Sequence, residues 1–216
     1  MSIASMSLGK FITIEGQDGA GKTTNIDYLC ERLKQERIDF IVTREPGGTE
    51  FGEALRNVLL SRDEISINPL AELLLIFAAR SQHLSEVIEP SLKSGKWVIC
   101  DRFTDASYAY QGGGHGVEKK VIAQIADLVQ QGREPDLTIL LDLDIITGES
   151  RVNARNDEKD RFEKQQSDFK GRVRQSYLEL AKRNPDRIQI IDASLTLNAV
   201  KVEVNRVISD FLNRAY

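Results

Sequence analysis

Short apolar runs alternate along the chain with longer segments in which apolar residues recur every three or four positions. The runs are apolar on both faces, as is typical of parallel strands buried within a sheet. They cover residues 10–15, 40–43, 97–100, 137–141 and 188–191. The periodic segments predict helices over about 22–37, 50–60, 70–92, 118–131, 168–183 and 195–212. The alternation predicts an α/β fold, a five-stranded parallel sheet flanked by helices on both faces.

Breaker residues and charges interrupt this pattern. Pro90 predicts a break near the end of the long helix 70–92, and the glycine-rich stretch 111–116 predicts a loop. Residues 147–166 are densely charged and weakly periodic, which favours a short mobile lid. No repeat or interdomain linker is visible, so we expect residues 1–216 to form a single domain.

The first predicted strand leads into a complete phosphate-binding motif. The motif reads Gly16-Gln17-Asp18-Gly19-Ala20-Gly21-Lys22-Thr23, and Thr24 follows it. Glycines let backbone N–H groups converge on an anion, and the N-terminus of the next helix adds a favourable dipole. Lys22 can reach the β- and γ-phosphates, and the Thr23 hydroxyl can ligate Mg²⁺. The motif predicts a P-loop NTPase that binds a nucleoside triphosphate.

Polar residues follow two other strands at the same edge of the predicted sheet. Asp101 ends an apolar strand, where a carboxylate can hold Mg²⁺ or, alternatively, cap the next helix. Arg102 and Arg44 end neighbouring strands, and a guanidinium group matches a pair of phosphate oxygens. Arg102 can alternatively pair with Asp101 or Glu45. Two arginines at one rim indicate an acceptor that is itself an anion.

Two further segments suggest contacts with the rest of a nucleotide. Phe77 and Arg80 lie three positions apart on the long helix and so share a face, where the ring can stack on a base and the guanidinium can bond its edge. The alternative is that Phe77 is a core residue, as Phe at helical spacing usually is. The charged segment from Arg151 to Arg161 is either a solvated helix end or a lid that delivers an arginine to the transferring phosphate. Because the phosphate loop contains no arginine, we expect the lid to supply one.

Composition narrows the partners and the location. The net charge of −4 disfavours a general nucleic-acid-binding surface, so we expect no nucleic-acid polymer as partner. The longest apolar run, 73–79, is too short to cross a bilayer, and the N-terminus lacks a signal-peptide pattern. Cys30 and Cys100 have neither disulfide nor metal spacing. We therefore expect a cytoplasmic protein without a membrane partner.

In this order the motifs resemble those of bacterial thymidylate kinases. The resemblance rests on Glu15–Thr24, Thr43–Thr49, Phe77–Arg80, Asp101–Phe103, Ser107, Tyr110–Gly114 and Asp160–Glu163. It implies phosphorylation of dTMP to dTDP on the route to dTTP, with ATP as donor, Mg²⁺ as cofactor and a homodimer as the assembly.

The resemblance also implies roles for single residues. The ATP-binding set would be Gly16, Gln17, Asp18, Gly19, Ala20, Gly21, Lys22, Thr23, Thr24 and Arg155. The dTMP-binding set would be Asp18 at the 3′-hydroxyl, Arg44 and Arg102 at the phosphate, Tyr110 beside the deoxyribose, and Phe77, Arg80, Ser107 and Gln111 around thymine. The catalytic set would be Lys22, Asp18, Arg102, Arg155 and Arg151, with Thr23 and Asp101 at the metal.

Two departures from the family pattern leave alternatives open. Asn153 stands where relatives often carry arginine, so Arg155 is the first candidate for the catalytic lid arginine and Arg151 the second. Some relatives place the aromatic residue four positions before the arginine, so Ile76 can share the base-facing position. The alternative functions are a deoxynucleoside kinase, which needs a carboxylate base for a neutral hydroxyl, and a nucleotide-binding regulatory module. The guanine-reading sequence N-K-x-D does not occur.

Overall fold

A computed structural model describes residues 8–60, 66–154 and 160–215. Its strands are β1 (Phe11–Gly16), β2 (Phe40–Arg44), β3 (Trp97–Asp101), β4 (Leu137–Asp142) and β5 (Ile188–Asp192). They form one parallel sheet in the order β2-β3-β1-β4-β5. The predicted five-stranded parallel sheet is therefore confirmed.

Helices connect successive strands. They are α1 (Lys22–Gln35), α2 (Glu50–Leu60), α3 (Pro69–His83), α4 (Glu89–Lys93), α5 (Thr104–Ser107), α6 (Lys119–Gln130), α7 (Ile145–Asn153), α8 (Ser167–Arg183) and α9 (Leu197–Ala215). Two π-helical turns, Leu84–Ile88 and Tyr108–Gly114, join α3 to α4 and extend α5. Within the described ranges, no helix combines the length and the apolar character needed to cross a membrane.

Alternate side chains of the strands pack into helix layers on opposite faces of the sheet. Ile12 and Ile14 belong to a cluster that includes Leu29 of α1 and Val204 of α9. Phe11, which faces the other side of the sheet, packs instead in a cluster with Leu84, Ile88 and Leu92, from α4 and its preceding π-helical turn. Successive strand residues face opposite sides, so this division explains why the strands are apolar on both faces.

The glycine-rich stretch 111–116 is helical as far as Gly114, so the loop predicted there was wrong. A Cβ on Gly113 would lie 2.7 Å from the Cβ of Ser176, and one on Gly114 would lie 2.4 Å from the ring of Phe169. These glycines allow helix α8 to pack directly on the π-helical turn. Close approach, and not interruption of the helix, is the physical reason for them.

Pro90 does not end the long helical segment. The π-helical turn Leu84–Ile88 precedes it, and Pro90 lies in the first turn of α4, which continues to Lys93. The π-helical turn bonds i→i−5, so the i→i−4 pattern that a proline disrupts is already replaced directly before Pro90. The predicted helix therefore extends slightly further than expected, as three consecutive pieces.

The first part of the predicted lid is an ordinary helix. The Asp144 carboxylate caps α7 by accepting from the backbone N–H of Thr147 at 2.9 Å. The helix ends at Asn153. The predicted lid residue Arg155 lies outside the described residues.

Candidate active site

A cleft opens at the carboxyl ends of β1, β2 and β3, where parallel sheets of this kind hold ligands. The predicted site residues that line it are Asp18, Gly19, Gly21, Lys22, Thr23, Arg44, Arg80, Asp101, Arg102, Ser107, Tyr110 and Gln111. Strand β1 lies between β3 and β4, so the phosphate loop stands over the middle of the sheet. The fold thus gathers in one cleft residues that are far apart in sequence.

The phosphate loop has the backbone conformation that its glycines permit. Gly16, Gly19 and Gly21 have φ angles of 140°, 83° and 87°. No side chain caps α1, so the N–H groups of its first turn are available to an anion. The Nζ of Lys22 lies over the loop and donates to the carbonyls of Gly16 (3.3 Å) and Gln17 (3.4 Å).

Four of the predicted ATP-binding residues do not line the cleft: Gly16, Gln17, Ala20 and Thr24. Gly16 and Ala20 are buried in the loop, and Thr24 is exposed on α1. The Gln17 amide donates to the backbone carbonyl of Lys170 and so ties the loop to α8. Any contribution of Gly16 and Ala20 to phosphate binding comes from the backbone of the loop.

Lys22 belongs to a compact cluster of charges. Its Nζ lies 3.8 Å from Oδ1 of Asp18. Burial lowers the pKa of Lys22, as does Arg102, while Asp101 and Asp18 oppose the shift. Because solvent screens this site poorly, the ammonium group interacts strongly with a phosphate placed on the loop.

Arg102 is held in place from several sides. It has a left-handed backbone, with φ 70°. Its guanidinium donates to Oδ1 of Asp18 (2.8 Å) and to the hydroxyl of Tyr177 (3.3 Å), and the Tyr110 ring lies 4.8 Å from its Cζ. The alternative pairing of Arg102 with Asp101 or Glu45 is not adopted. The guanidinium is thus pre-organised at the wall of the cleft.

Glu15 is a buried carboxyl that opens the motif Glu15–Thr24, although the sequence assigned it no role of its own. Oε1 accepts from the backbone N–H of Phe103 (2.8 Å), and Oε2 accepts from the Tyr177 hydroxyl (2.7 Å). Burial raises the pKa of Glu15 to about 7, and Asp105 adds to the rise, against the opposing effects of Arg102 and the two hydrogen bonds. The Glu15 side chain therefore supports Arg102 indirectly, through the backbone N–H of the next residue and through the Tyr177 hydroxyl that accepts from Arg102.

Asp101 has the environment of a cation ligand. Its Oδ1 is buried and accepts no hydrogen bond from a described residue, and Asp101 and Thr23 line the same cleft. No side chain caps α5, so the alternative capping role of Asp101 is not adopted. The unsatisfied carboxylate oxygen and the hydroxyl fit Mg²⁺, which usually takes one or two protein ligands and completes its shell with phosphates and water. Among the described residues, no group of three or more His, Cys, Asp or Glu side chains could hold a metal by itself.

Arginines line the end of the cleft away from the phosphate loop. Arg44 is exposed and forms a two-point ion pair with Glu53, at 2.8 and 3.3 Å. Arg56, half-buried on α2, donates to the carbonyl of Pro46 at 2.9 Å. Burial, followed by Arg44, lowers the pKa of Arg56. The sequence analysis missed Arg56, because it lies in a helix outside any motif.

The structure corrects the position predicted for Phe77. The ring is only 1 % exposed and lies beneath Arg80, with 4.4 Å between its centroid and the guanidinium Cζ. Ile76, not Phe77, lines the cleft. The residues are one position apart on α3 and so point in directions about 100° apart. The ring supports Arg80 and does not face the cleft, whereas the alternative position, Ile76, does.

Arg80 is a buried guanidinium with one free donor. Its Nε donates to Glu45 (2.6 Å) and its Nη2 to Oγ of Ser107 (3.1 Å). Its Nη1 is buried and finds no hydrogen-bond partner among the described residues. Glu45 also accepts from Nδ1 of His83 at 3.0 Å, which fixes the carboxylate. Arg80 thus lines the cleft and keeps one N–H group without a hydrogen-bond partner among the described residues.

The described lid arginines are both engaged elsewhere. Arg151 donates to the carbonyls of Gly19 (3.3 Å) and Ala193 (3.0 Å), so it braces the phosphate loop from outside the cleft. Arg161 donates to the carbonyl of Leu59 (2.9 Å) and to the carboxylate of Glu72. Neither lines the cleft.

This combination defines a class of enzyme. A phosphate loop at the centre of a parallel sheet binds a triphosphate donor, and arginines at the facing rim suit a second phosphate. The protein is thus a P-loop phosphotransferase whose acceptor is itself phosphorylated.

Comparison with known proteins gives the family. Residues 14–204 match the thymidylate kinase family model. A thymidylate kinase of Methylococcus capsulatus is 50 % identical over 207 residues, covering 96 % of this chain and 98 % of that protein; one from Ruthia magnifica is 51 % identical over 203 residues, covering 94 % and 98 %. The crystal structure of thymidylate kinase from Ehrlichia chaffeensis superposes with a TM-score of 0.75 at 37 % identity and covers 93 % of this chain and 98 % of its own.

The chain belongs to the thymidylate kinase family. Members of this family are nucleoside monophosphate kinases, transferases that phosphorylate dTMP in dTTP biosynthesis. The predicted family, enzyme class and function are therefore confirmed.

Proposed function

We propose that this chain transfers the γ-phosphoryl group of ATP directly to the phosphate of dTMP, without a covalent enzyme intermediate. The observation that carries the proposal is that one cleft holds both the phosphate loop and the facing arginines. The acceptor phosphate is already ionised near neutral pH, so it needs no strong general base. The work of the protein is to align two phosphates and to neutralise charge.

The two phosphate groups have separate sets of ligands in this proposal. The loop N–H groups and Lys22 bind the β- and γ-phosphates of ATP. Arg102 holds the phosphate of dTMP, together with Arg44 and Arg56. Asp101 and the Thr23 hydroxyl would hold Mg²⁺, which when bound neutralises charge on the phosphate oxygens. Asp18, beside Arg102, bonds the 3′-hydroxyl of the sugar.

The base and the sugar contact the part of the cleft that Arg80, Ser107, Tyr110 and Gln111 line. The unpaired Nη1 of Arg80 is the natural donor to the thymine O4, with Ser107 holding the guanidinium in place. Gln111 bonds the neighbouring edge of the base. Ile76 supplies an apolar contact with the ring, in the position first given to Phe77. Tyr110 packs beside the deoxyribose and disfavours a 2′-hydroxyl.

Arg155 remains the first candidate for the arginine that reaches the transferring phosphate. Arg151 is the second, but its hydrogen bonds to Gly19 and Ala193 suit it better to fixing the loop. An arginine delivered to a transferring phosphoryl group contributes about 10³-fold or more to kcat. Comparing Arg155→Ala with Arg151→Ala at saturating substrates separates the two candidates, because the catalytic one lowers kcat far more.

The active assembly in our proposal is a cytoplasmic homodimer. Four apolar side chains on the adjacent helices α2 and α3 are about half exposed: Phe51, Val58, Leu70 and Leu74. Half-exposed apolar side chains on adjacent helices can pack against the same helices of a second copy of the chain. The unpaired thiols of Cys30 and Cys100 are compatible with a reducing compartment.

An ATP-coupled assay across acceptors tests the function. We expect kcat/KM for dTMP to exceed those for thymidine, AMP and CMP. A preference for thymidine would indicate the deoxynucleoside kinase, since that acceptor has no phosphate for the arginines. ATP hydrolysis without any phosphorylated nucleotide would indicate the regulatory module instead.

A further inference from the structure

Glu72 on α3 lies behind the base end of the cleft and is fully buried. Its Oε1 accepts from Nε2 of Gln111 at 2.7 Å, and its Oε2 accepts from the guanidinium of Arg161. The ring of His115 lies 3.5 Å from the same Oε1. A carboxylate paired with a guanidinium can accept hydrogen bonds but cannot donate them. Each neighbour of Glu72 must therefore turn a donor group toward it.

This contact determines which end of the Gln111 amide faces the cleft. A glutamine amide has a donor end, the NH₂ group, and an acceptor end, the carbonyl oxygen. Because the NH₂ group is bonded to Glu72, Oε1 is left for a ligand. Gln111 lines the cleft, and no hydrogen bond to its Oε1 occurs among the described residues.

Arg80 places a donor near this acceptor. Its Nη1 is unpaired, and its Nη2 is bonded to Ser107, which lies one helical turn before Gln111. Gln111 and Arg80 both line the cleft, so it can offer a base one acceptor and one donor. Thymine has the matching edge, with a donor at N3 and an acceptor at O4. Cytosine has the opposite edge, with an acceptor at N3 and an amino group at C4.

We propose that Glu72 determines the choice between thymine and cytosine by fixing the orientation of the Gln111 amide. Glu72 does not touch the base, so it is a positioning residue. The inference rests on the base contacts proposed above for Gln111 and Arg80. It goes further in assigning the discrimination to a side chain outside the cleft.

The substitution Glu72→Gln tests this because it nearly preserves shape. A glutamine at 72 can either accept from Gln111 or donate to it, so the Gln111 amide becomes free to invert. We expect kcat/KM for dCMP to rise and the dTMP to dCMP ratio of kcat/KM to fall about 10-fold or more. Discrimination is not abolished, because Arg80 still opposes the amino group of cytosine.

The matched control is Glu72→Asp, which shortens the side chain but keeps an acceptor-only carboxylate. Activity on both substrates falls in this variant, and the ratio stays within about twofold of wild type. An equal loss of the ratio in Glu72→Asp and Glu72→Gln would overturn the inference, because it would show an effect of packing alone. An unchanged ratio in folded Glu72→Gln would overturn it as well.

Gln111→Leu separates this inference from the proposed function. If Gln111→Leu leaves both the use of dTMP and the ratio unchanged, Gln111 does not contact the base and the proposed base contacts are wrong. If it lowers both while Glu72→Gln has no effect on the ratio, only the role of Glu72 is wrong.

Should Glu72→Gln fail to fold, the wild-type enzyme decides. Its Gln111 NH₂ signals, assigned by their loss in Gln111→Leu, should be protected from hydrogen exchange before any nucleotide is added. Rapid exchange of these protons in the free enzyme would overturn the inference.

Discussion

Replacing Glu15 by Gln isolates the electrostatic consequence of a carboxyl buried under the active site. Glutamine keeps an acceptor for the N–H of Phe103 and can donate to the hydroxyl of Tyr177 instead of accepting from it. The shape is nearly unchanged, but the group no longer titrates. Any difference in the pH dependence of stability between wild type and variant therefore reports the ionisation of Glu15.

The expected magnitude follows from the shift in pKa. Burial raises the pKa of Glu15 from 4.5 to about 7, so the folded chain binds this proton more tightly than the unfolded chain. The stability from this group is complete below pH 4.5 and is lost as the pH rises through 7. The whole loss amounts to about 3 kcal/mol, of which about 2.5 kcal/mol falls between pH 5 and pH 8.

Urea unfolding at several pH values between 5 and 8, without nucleotide or Mg²⁺, measures this directly. We expect the free energy of unfolding of Glu15→Gln, relative to wild type, to increase by about 2.5 kcal/mol across the range. Glu31→Gln, at an exposed carboxylate on α1, is the control and should follow the wild-type curve. If the free energies of unfolding of wild type and Glu15→Gln changed in parallel with pH, the reasoning would be refuted.

Three further substitutions test other parts of the site and the assembly. Lys22→Ala should lower kcat about 1,000-fold or more while the circular dichroism spectrum stays native, and near-wild-type turnover would contradict the phosphate-loop role. Arg102→Lys should raise KM for dTMP about 10-fold and leave KM for ATP nearly unchanged, because a lysine cannot make two parallel bonds; equal effects on both would contradict it. Leu74→Glu should convert a dimer to a monomer in light scattering, and an unaltered mass would place the interface elsewhere.

The parts of the site that follow from local chemistry were predictable. The phosphate loop is recognised from the spacing of its glycines, lysine and threonine. Arg44, Asp101 and Arg102 are predicted to be site residues because they lie at the ends of strands. Parallel strands must bring such ends to one edge, whatever the details of packing. For these residues a strand assignment and a motif were sufficient.

The rotation of α3 was not predictable in the same way. Ile76 and Phe77 are adjacent apolar residues, and an error of one position turns a helix by about 100°. The pattern cannot tell a ring that faces a ligand from a ring that supports an arginine. The packing of Phe77 beneath Arg80 decides the matter.

Buried carboxylates were the other omission. The sequence assigned no role to Glu15 or Glu72, because the partners that enclose a carboxylate are distant along the chain. Tyr177 and Arg161 are those partners: Tyr177 belongs to none of the motifs, and Arg161 was considered only as a lid arginine. Charged residues are normally exposed unless paired, so only the folded chain shows which ones are enclosed.

The order of the strands in the sheet has a consequence for folding during synthesis on the ribosome. Strand β1 and its phosphate loop are made before the other four strands, yet among the described strands β1 pairs with β3 and β4, which are made much later. Pairings so distant along the chain form slowly, because a long loop must close before any contact is gained. Until β4 has left the ribosome, the apolar strand β1 lacks at least one of its two hydrogen-bonding partners. Nascent chains halted in that interval should be aggregation-prone and dependent on chaperones.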